Sequence, residues 1–201
     1  PISKLRVAVL FGGRSAEHEI SLLSARFVVQ ALDRERFEPI LVGIDKSGRW
    51  LLQEEARILN ASRDPRLTRL EQACPEVTLA AHPGEDGEGS LAIGGGKGSA
   101  GVDVVFPVLH GPMGEDGAIQ GLLELAGVPY VGAGVLGSAV GMDKDVMKRL
   151  LAGAGLPMVP HVTLRRPAWD RGRQGALDLA AALGFPLFVK PANMGSSVGV
   201  S

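Results

Sequence analysis

The chain has 201 residues, about one and a third domains at a prior of ~150 residues each, so two modules, or one plus part of another, are expected. With 45% hydrophobic and 21% charged residues it has the make-up of a soluble globular protein and not of a disordered chain; at 4% aromatics its core must be filled by Val, Leu, Ala and Ile. A net charge of −1 supplies no long-range field for nucleic acid or an anionic membrane and leaves small neutral or zwitterionic partners open.

Cys74 is the only cysteine, which excludes an internal disulfide and a cysteine zinc cluster and fits a reducing cytosol. The opening apolar stretch is shorter than a signal peptide's core, and no run of ~18 apolar residues occurs, so a cytoplasmic protein without a membrane span or export signal is expected.

Val7 to Phe11 is a continuous apolar run ending at Gly12-Gly13, the pattern of a strand buried on both faces of a parallel sheet. From Ala16 to Leu32 the apolar residues Ile20, Leu23, Phe27, Val28 and Leu32 recur at helical spacing, and Phe37 to Ile44 reads as a strand again, giving a β-α-β opening. Lys46-Ser-Gly48 is a turn; Glu54 to Ala73 is charged and weakly periodic, a peripheral region with short helices. His82 to Gly101, dominated by glycine, reads as an inserted loop or small hairpin outside the core.

Val102 to Leu109 is a further apolar strand, followed by a helix over Ala118 to Ala126 with Asp116 in the N-cap position and a short strand over Val128 to Val131. This β-α alternation predicts a doubly wound parallel sheet. Val135 to Met142 and Lys144 to Ala154 read as helices that break at Asp143, and Gly155-Leu-Pro157 stops the second. A domain boundary is placed at residues 141–144. Val159 to Leu164, a helix from Gln174 to Leu183 and a strand over Leu187 to Lys190 begin a second module whose sheet is incomplete.

Four constellations carry possible chemistry. In Gly12-Gly-Arg-Ser-Ala-Glu17-His18-Glu19, two acids and a histidine follow a glycine pair at the carboxyl edge of the first strand, where parallel sheets bind ligands, and an acid there can hold an ammonium group. The competing reading makes Ser15 a cap and the two acids helix-start residues. In His110-Gly-Pro-Met-Gly-Glu115-Asp116-Gly117, glycines around a histidine admit a small ligand, and His110 can donate to a carboxylate or phosphate, or can be a hydrogen-bonded structural residue. Glu115 and Asp116 are read as helix-start residues.

Gly132-Ala-Gly134-Val-Leu-Gly137 matches a dinucleotide-binding fingerprint literally, yet it lies late in the domain and lacks the acid ~20 residues on. A dinucleotide-dependent oxidoreductase is therefore set aside, and these glycines are read as turn and packing residues. Gly94-Gly-Gly-Lys97-Gly-Ser99 imitates a phosphate loop without the Ser or Thr directly after its Lys, and is read as a loop.

The fourth is Phe188-Val189-Lys190-Pro191-Ala-Asn-Met-Gly195-Ser196-Ser197-Val198-Gly199-Val200-Ser201. A Lys leaving a buried strand, followed by a Gly/Ser loop, makes a phosphate cover from an ammonium, hydroxyls and backbone N–H groups; a plain hairpin is the alternative. Lys144, at a helix start, opposes the helix dipole, which points to a compensating ligand.

Gly-Gly-Arg-Ser-Ala-Glu-His-Glu-Ile-Ser, His-Gly-Pro-Met-Gly-Glu-Asp-Gly, Met-Asp-Lys and Lys-Pro-Ala-Asn-Met-Gly-Ser-Ser-Val-Gly-Val-Ser, in that order, resemble the bacterial D-alanine–D-alanine ligases, an ATP-grasp family. The resemblance implies an α/β fold: a Rossmann-like, pre-ATP-grasp parallel-sheet domain over 1–141 and the first, incomplete part of an ATP-grasp domain over 142–201. It implies ATP-dependent ligation of two D-alanines through an acyl phosphate, for peptidoglycan precursor and cell-wall synthesis. Glu17 would hold the ammonium of the first D-alanine with Ser196 beside it, both in the catalytic set, and His110 would sit near the substrate carboxylates. Lys144 and Lys190 would contact the phosphates of ATP, with Gly195, Ser196, Ser197, Val198 and Gly199 closing over them. The Mg²⁺ ligands, the adenine pocket and the residues selecting the second substrate fall beyond Ser201. A homodimer is implied, and the 201 residues alone are expected to be inactive, an incompetent fragment that binds substrate or nucleotide weakly.

Overall fold

The computed structural model describes residues 3–60, 64, 68–80, 89–93 and 98–201. The chain divides into two units, Pro1–Ala139 and Val140–Ser201.

The first unit is built on β1 (Leu5–Gly12), α1 (His18–Ala31), β2 (Phe37–Ile44), β3 (Trp50–Gln53), α2 (Glu55–Asn60), β4 (Val77–Leu79), β5 (Gly89–Ile93), β6 (Ser99–Val102), β7 (Val104–Pro107) and α3 (Ala118–Leu125). One sheet has the order β3-β2-β1-β7. In it β1 pairs in parallel with both β2 and β7, while β3 is antiparallel at the edge. Being central, β1 must be apolar on both faces, and its alternation divides it between two cores. Ala8 and Leu10 pack with Val42, Ile44, Val105 and Leu123, on the side of α3. Val7, Val9 and Phe11 pack with Leu22, Ala25 and Val29 of α1. Each large side chain so buried contributes about 1.5–3 kcal/mol, so β1 fixes where its carboxyl end, and the loop after it, must lie.

Several expectations change. The strand expected over Val102 to Leu109 is two: β6 belongs to a second, antiparallel sheet β4-β5-β6, and β7 pairs with β1. The break falls at Asp103, which accepts hydrogen bonds from the Arg6 amide at 2.6 Å and guanidinium at 2.8 and 3.1 Å. The glycine-rich stretch contributes β5 and most of β6 to an antiparallel hairpin and reaches the core through Leu91, beside Val102, a burial that its composition did not announce. The remainder of that stretch, with Gly94 to Lys97, lies outside the described residues. Ile58 and Leu70 likewise carry part of the expected periphery into the core. Val128 to Val131 makes only a single bridge, Val105 to Tyr130. The N-cap of α3 is Gly117 and not Asp116.

Next come α4 (Val135–Met142), α5 (Lys144–Gly153), α6 (Arg166–Arg171) and α7 (Arg173–Ala181), the boundary between the units falling within α4. Asp143 caps α5, its side chain accepting from the amides of Asp145 and Val146. Asp145 is buried and joins α5 to the segment after it, accepting from Arg149, from Thr163 Oγ1 at 2.8 Å and from Arg165 at 3.3 Å. The Arg149 guanidinium, then the Thr163 hydroxyl, hold its carboxyl well below the usual range against the opposing effect of burial. No strand forms over 159–164 or 187–190. Val189 and Ser201 exchange two backbone hydrogen bonds, 2.8 and 3.0 Å, but no ladder extends from them. Phe188 is 78% and Val189 66% exposed, so Lys190 does not leave a buried strand.

Candidate active site

In the first unit the loops that follow β1 and β7 are joined by serines of α1 and its approach. Ser21, fully buried, donates to the Val108 carbonyl at 2.5 Å and accepts from the Gly12 amide at 2.8 Å. Ser15 donates to the His110 carbonyl at 2.7 Å and accepts from the Glu17 amide at 3.1 Å. The His18 ring bonds the Gly13 carbonyl through Nδ1 at 2.7 Å. A buried polar atom must be partnered, and here each partner is the backbone of a loop at the sheet's carboxyl edge. The result fixes Glu17 and His110 on one edge.

Glu17 occupies the N-cap position of α1, yet its side chain makes no capping hydrogen bond, and it is 5% exposed. Its carboxylate thus caps α1 by no hydrogen bond of its own and lies against the other loop: a Cβ on Gly111 would stand 2.5 Å from Glu17 Oε2. Glu19, the second acid, is instead engaged by Lys46 at 2.7 Å, and that contact lowers its pKa. His110 faces Ser24 of α1, Nε2 to Oγ 2.9 Å. Glu115 is not a helix-start residue: its Oε2 accepts from the Gly111 amide at 2.6 Å. Asp116 accepts from the amides of Met113 at 2.8 Å and Ala118 at 3.1 Å, holding the turn before α3.

An acid and an imidazole fixed on facing loops offer one group for an ammonium and one for a carboxylate, the two ends of a small zwitterion. A cavity of about 460 Å³ elsewhere in the unit, lined by residues that include Leu22, Arg26, Gln53 and Ile58, involves neither Glu17 nor His110.

In the second unit Lys144 and the segment from Lys190 onward come together. The Lys144 amide donates to the Ala192 carbonyl at 3.0 Å, and Nζ donates to the carbonyls of Met194 at 2.5 Å and Ala192 at 3.4 Å. Protein carbonyls thus already offset the unfavourable place of this ammonium at a helix N-terminus. Ser196 and Ser197 have φ of 43° and 60°, and the loop closes on itself through Val198 N to Gly195 O, 3.0 Å, and Val200 N to Ser197 O, 3.2 Å. In this loop state the Val198 amide is occupied. Lys190 is exposed and stands over the Phe188 ring, 5.8 Å from its centre.

Sequence reasoning missed Ser21 and Ser24, which share a helix face at a spacing of three, and the role of Glu115. It also missed the pairing of Asp143 with Asn193, 3.3 Å. Serines recurring every three residues on the apolar side of an amphipathic helix were the available signal. Among the described residues there is no cluster of three or more His, Cys, Asp or Glu that suits a metal, and no helix is long and apolar enough to cross a membrane.

Residues 6–133 match the family model described as D-ala D-ala ligase N-terminus, and residues 150–201 the one described as D-ala D-ala ligase C-terminus. The chain belongs to the D-alanine–D-alanine ligase family. It is 49% identical over 203 residues to D-alanine–D-alanine ligase A of Chromobacterium violaceum, covering 100% of this chain and 54% of that protein. To the Mycobacterium ulcerans D-alanine–D-alanine ligase it is 53% identical, covering 98% and 52%. The solved D-alanine–D-alanine ligase of Coxiella burnetii superposes with a TM-score of 0.78 at 39% identity, covering 98% of this chain and 54% of that one. VanG D-Ala:D-Ser ligase of Enterococcus faecalis superposes with a TM-score of 0.72 at 35% identity, covering 99% and 55%. The chain spans about half the length of the ligases it matches.

Proposed function

We propose that this chain carries the first-substrate and phosphate-binding parts of a ligase that joins two D-alanines, using ATP and an acyl phosphate, for peptidoglycan synthesis in the cytoplasm. The observation that carries the proposal is the placement of the Glu17 carboxylate against Gly111, with His110 on the same edge. It is supported by the names of relatives at about half identity over the whole chain.

In this reading residues 1–141 are the N-terminal ligase domain, Rossmann-like and preceding the ATP-grasp domain, which begins over 142–201. Glu17 orients the ammonium of the first D-alanine and takes no proton from it; His110 faces the carboxylate. Ser196, in the second unit, is assigned with Glu17 to the catalytic set. Attack of a carboxylate on a γ-phosphoryl group brings anions together, so cationic and N–H donors must offset the charge. Lys144 and Lys190 supply ammonium groups, and the backbone and hydroxyls of Gly195 to Gly199 supply donors, which fits a triphosphate. Mg²⁺ supplies charge neutralisation when bound, but the described residues hold no acidic cluster for it, so its ligands are assigned to none of them. This span, about half the length of the ligases it matches, is by itself read as a weak binder without turnover. A homodimer formed through the first unit belongs to the same reading and rests on the family resemblance alone.

The test is Glu17→Gln in the full-length protein, assayed by D-alanine-dependent ADP release. A charge-assisted contact is worth about 1.5–3 kcal/mol, so KM for the first-site D-alanine should rise on the order of tenfold or more. KM for ATP and Tm should hardly move, because Gln keeps the shape of the side chain and loses only its charge. A normal first-site KM with a lowered Tm refutes the assignment.

A further inference from the structure

We infer that Asp143 and Asn193 are positioning residues for the glycine-rich loop: together they clasp the loop's stem to the N-terminus of α5, so that Lys144 stands between the loop and a nucleotide's phosphates. The inference rests on the phosphate role proposed above for Lys144 and the loop.

The two carboxylate oxygens of Asp143 divide the work. Oδ1 accepts from the amides of Asp145 at 3.0 Å and Val146 at 3.1 Å, which caps α5, while Oδ2 accepts from Asn193 Nδ2 at 3.3 Å. The Val146 amide, and more weakly Asn193, hold this carboxyl below its usual range against burial. The neighbouring residue completes the clasp, since the Lys144 amide and ammonium both reach the carbonyls of 192–194.

An ammonium has three donors. Two are directed at Met194 O and Ala192 O, and the third is left for a phosphate oxygen. A cation shared in this way couples loop and ligand: a phosphate that draws Lys144 toward itself draws the loop carbonyls with it. If Lys144 were the loop's only tie, each gain toward phosphate would be taken from the loop. Beside the bond from the Lys144 amide to the Ala192 carbonyl, the Asp143–Asn193 bond gives the stem a side-chain tie that phosphate does not compete for, and so keeps Lys144 and the Gly195–Gly199 segment in register.

Capping and clasping are separable by substitution in the full-length protein. Asp143→Ser keeps a capping oxygen but has no second oxygen for Asn193; Asn193→Ala leaves the cap untouched. Asp143→Asn keeps the capping oxygen, and its amide meets Asn193 once the latter turns its own amide around. Asp143→Ser and Asn193→Ala should each raise KM for ATP about fivefold, the worth of one ordinary hydrogen bond. They should leave KM for the first-site D-alanine and Tm unchanged and speed amide exchange across 195–199 in the absence of nucleotide. Asp143→Asn should behave as wild type. Wild-type loop exchange and KM for ATP in the first two variants overturn the clasp, as does an Asp143→Asn variant as impaired as Asp143→Ser. Absence of D-alanine-dependent ADP release from the wild-type protein would defeat the ligase reading instead; the exchange measurement, made without nucleotide, decides the clasp on its own.

Discussion

Gly111→Ala separates the geometry of the first subsite from the general cost of altering a glycine. Gly111 has φ +74°, in the left-handed region, where an L side chain costs about 1–2 kcal/mol. Its amide is tied to Glu115 at 2.6 Å, so the turn has little freedom to relax. The new Cβ would stand 2.5 Å from Glu17 Oε2 and 3.3 Å from Ser15 Cβ. Of these the carboxylate, at the end of a flexible side chain, is the atom that yields. At roughly 2–4 °C per kcal/mol for a protein of this size, the backbone strain should lower Tm by about 2–8 °C. In the full-length protein the displaced carboxylate should raise the first-site KM for D-alanine on the order of tenfold, with KM for ATP unchanged. Gly132→Ala is the control: Gly132 has φ +126° and nothing within 4 Å of its would-be Cβ. It should lose stability by backbone strain alone and keep its KM. Two variants that lower Tm and leave KM for D-alanine alike unchanged would refute the placement of Glu17 in the substrate site.

Lys190→Ala should leave Tm nearly unaltered, since the side chain is exposed and its ring contact with Phe188 is worth only about 0.5–1 kcal/mol at such a site. In the full-length protein it should weaken ATP by on the order of tenfold or more, read by nucleotide titration; unchanged ATP affinity would return Lys190 to a surface role. Asp45→Asn should be less stable than wild type at pH 7. Burial works against ionisation of Asp45, but the Ser47 hydroxyl and the Arg49 amide and guanidinium outweigh it and hold its carboxyl well below the usual range. A depressed folded pKa stabilises above the unfolded value, near 3.9, and the benefit fades as pH falls through the folded value. The Tm gap to wild type should therefore narrow between pH 4 and pH 2, and a constant gap would refute the linkage.

The sequence pattern was most legible where one face or both had to be apolar. β1 and β2 follow from runs that only a doubly covered parallel sheet explains, and the break between α4 and α5 follows from Asp143. Strands whose apolar content depends on a distant partner were not legible. Val102 to Leu109 reads as one strand because nothing local records that Arg6 takes Asp103 and sends the chain from one sheet to another. The burial of the β5–β6 hairpin was hidden by glycine, which carries no burial signal although Leu91 and Val102 do the packing. At the candidate site, Glu17 and His110 were singled out because glycines mark loops that approach closely. Ser24 and Glu115 were not, because a residue that holds another in place has no pattern of its own until the two loops are seen side by side.

The two sets of candidate residues, one in each unit, are built on different principles, and that difference orders the experiments. Around Glu17 and His110, buried hydroxyls of Ser15 and Ser21 join backbone to backbone, so the acceptor and donor proposed for a small zwitterion are held in place by the fold, and such preorganisation would lower the cost of binding. The phosphate side has no comparable burial: Lys190, Ser196 and Ser197 are exposed, and Lys144 and Asn193 are the side chains that tie the loop to α5. Substitutions at the serines of the first set should therefore lower Tm and weaken D-alanine together, because the same bonds hold fold and site. Substitutions at Asn193 and Lys190 should weaken ATP and leave Tm in place, because there the bonds serve the loop and not the core.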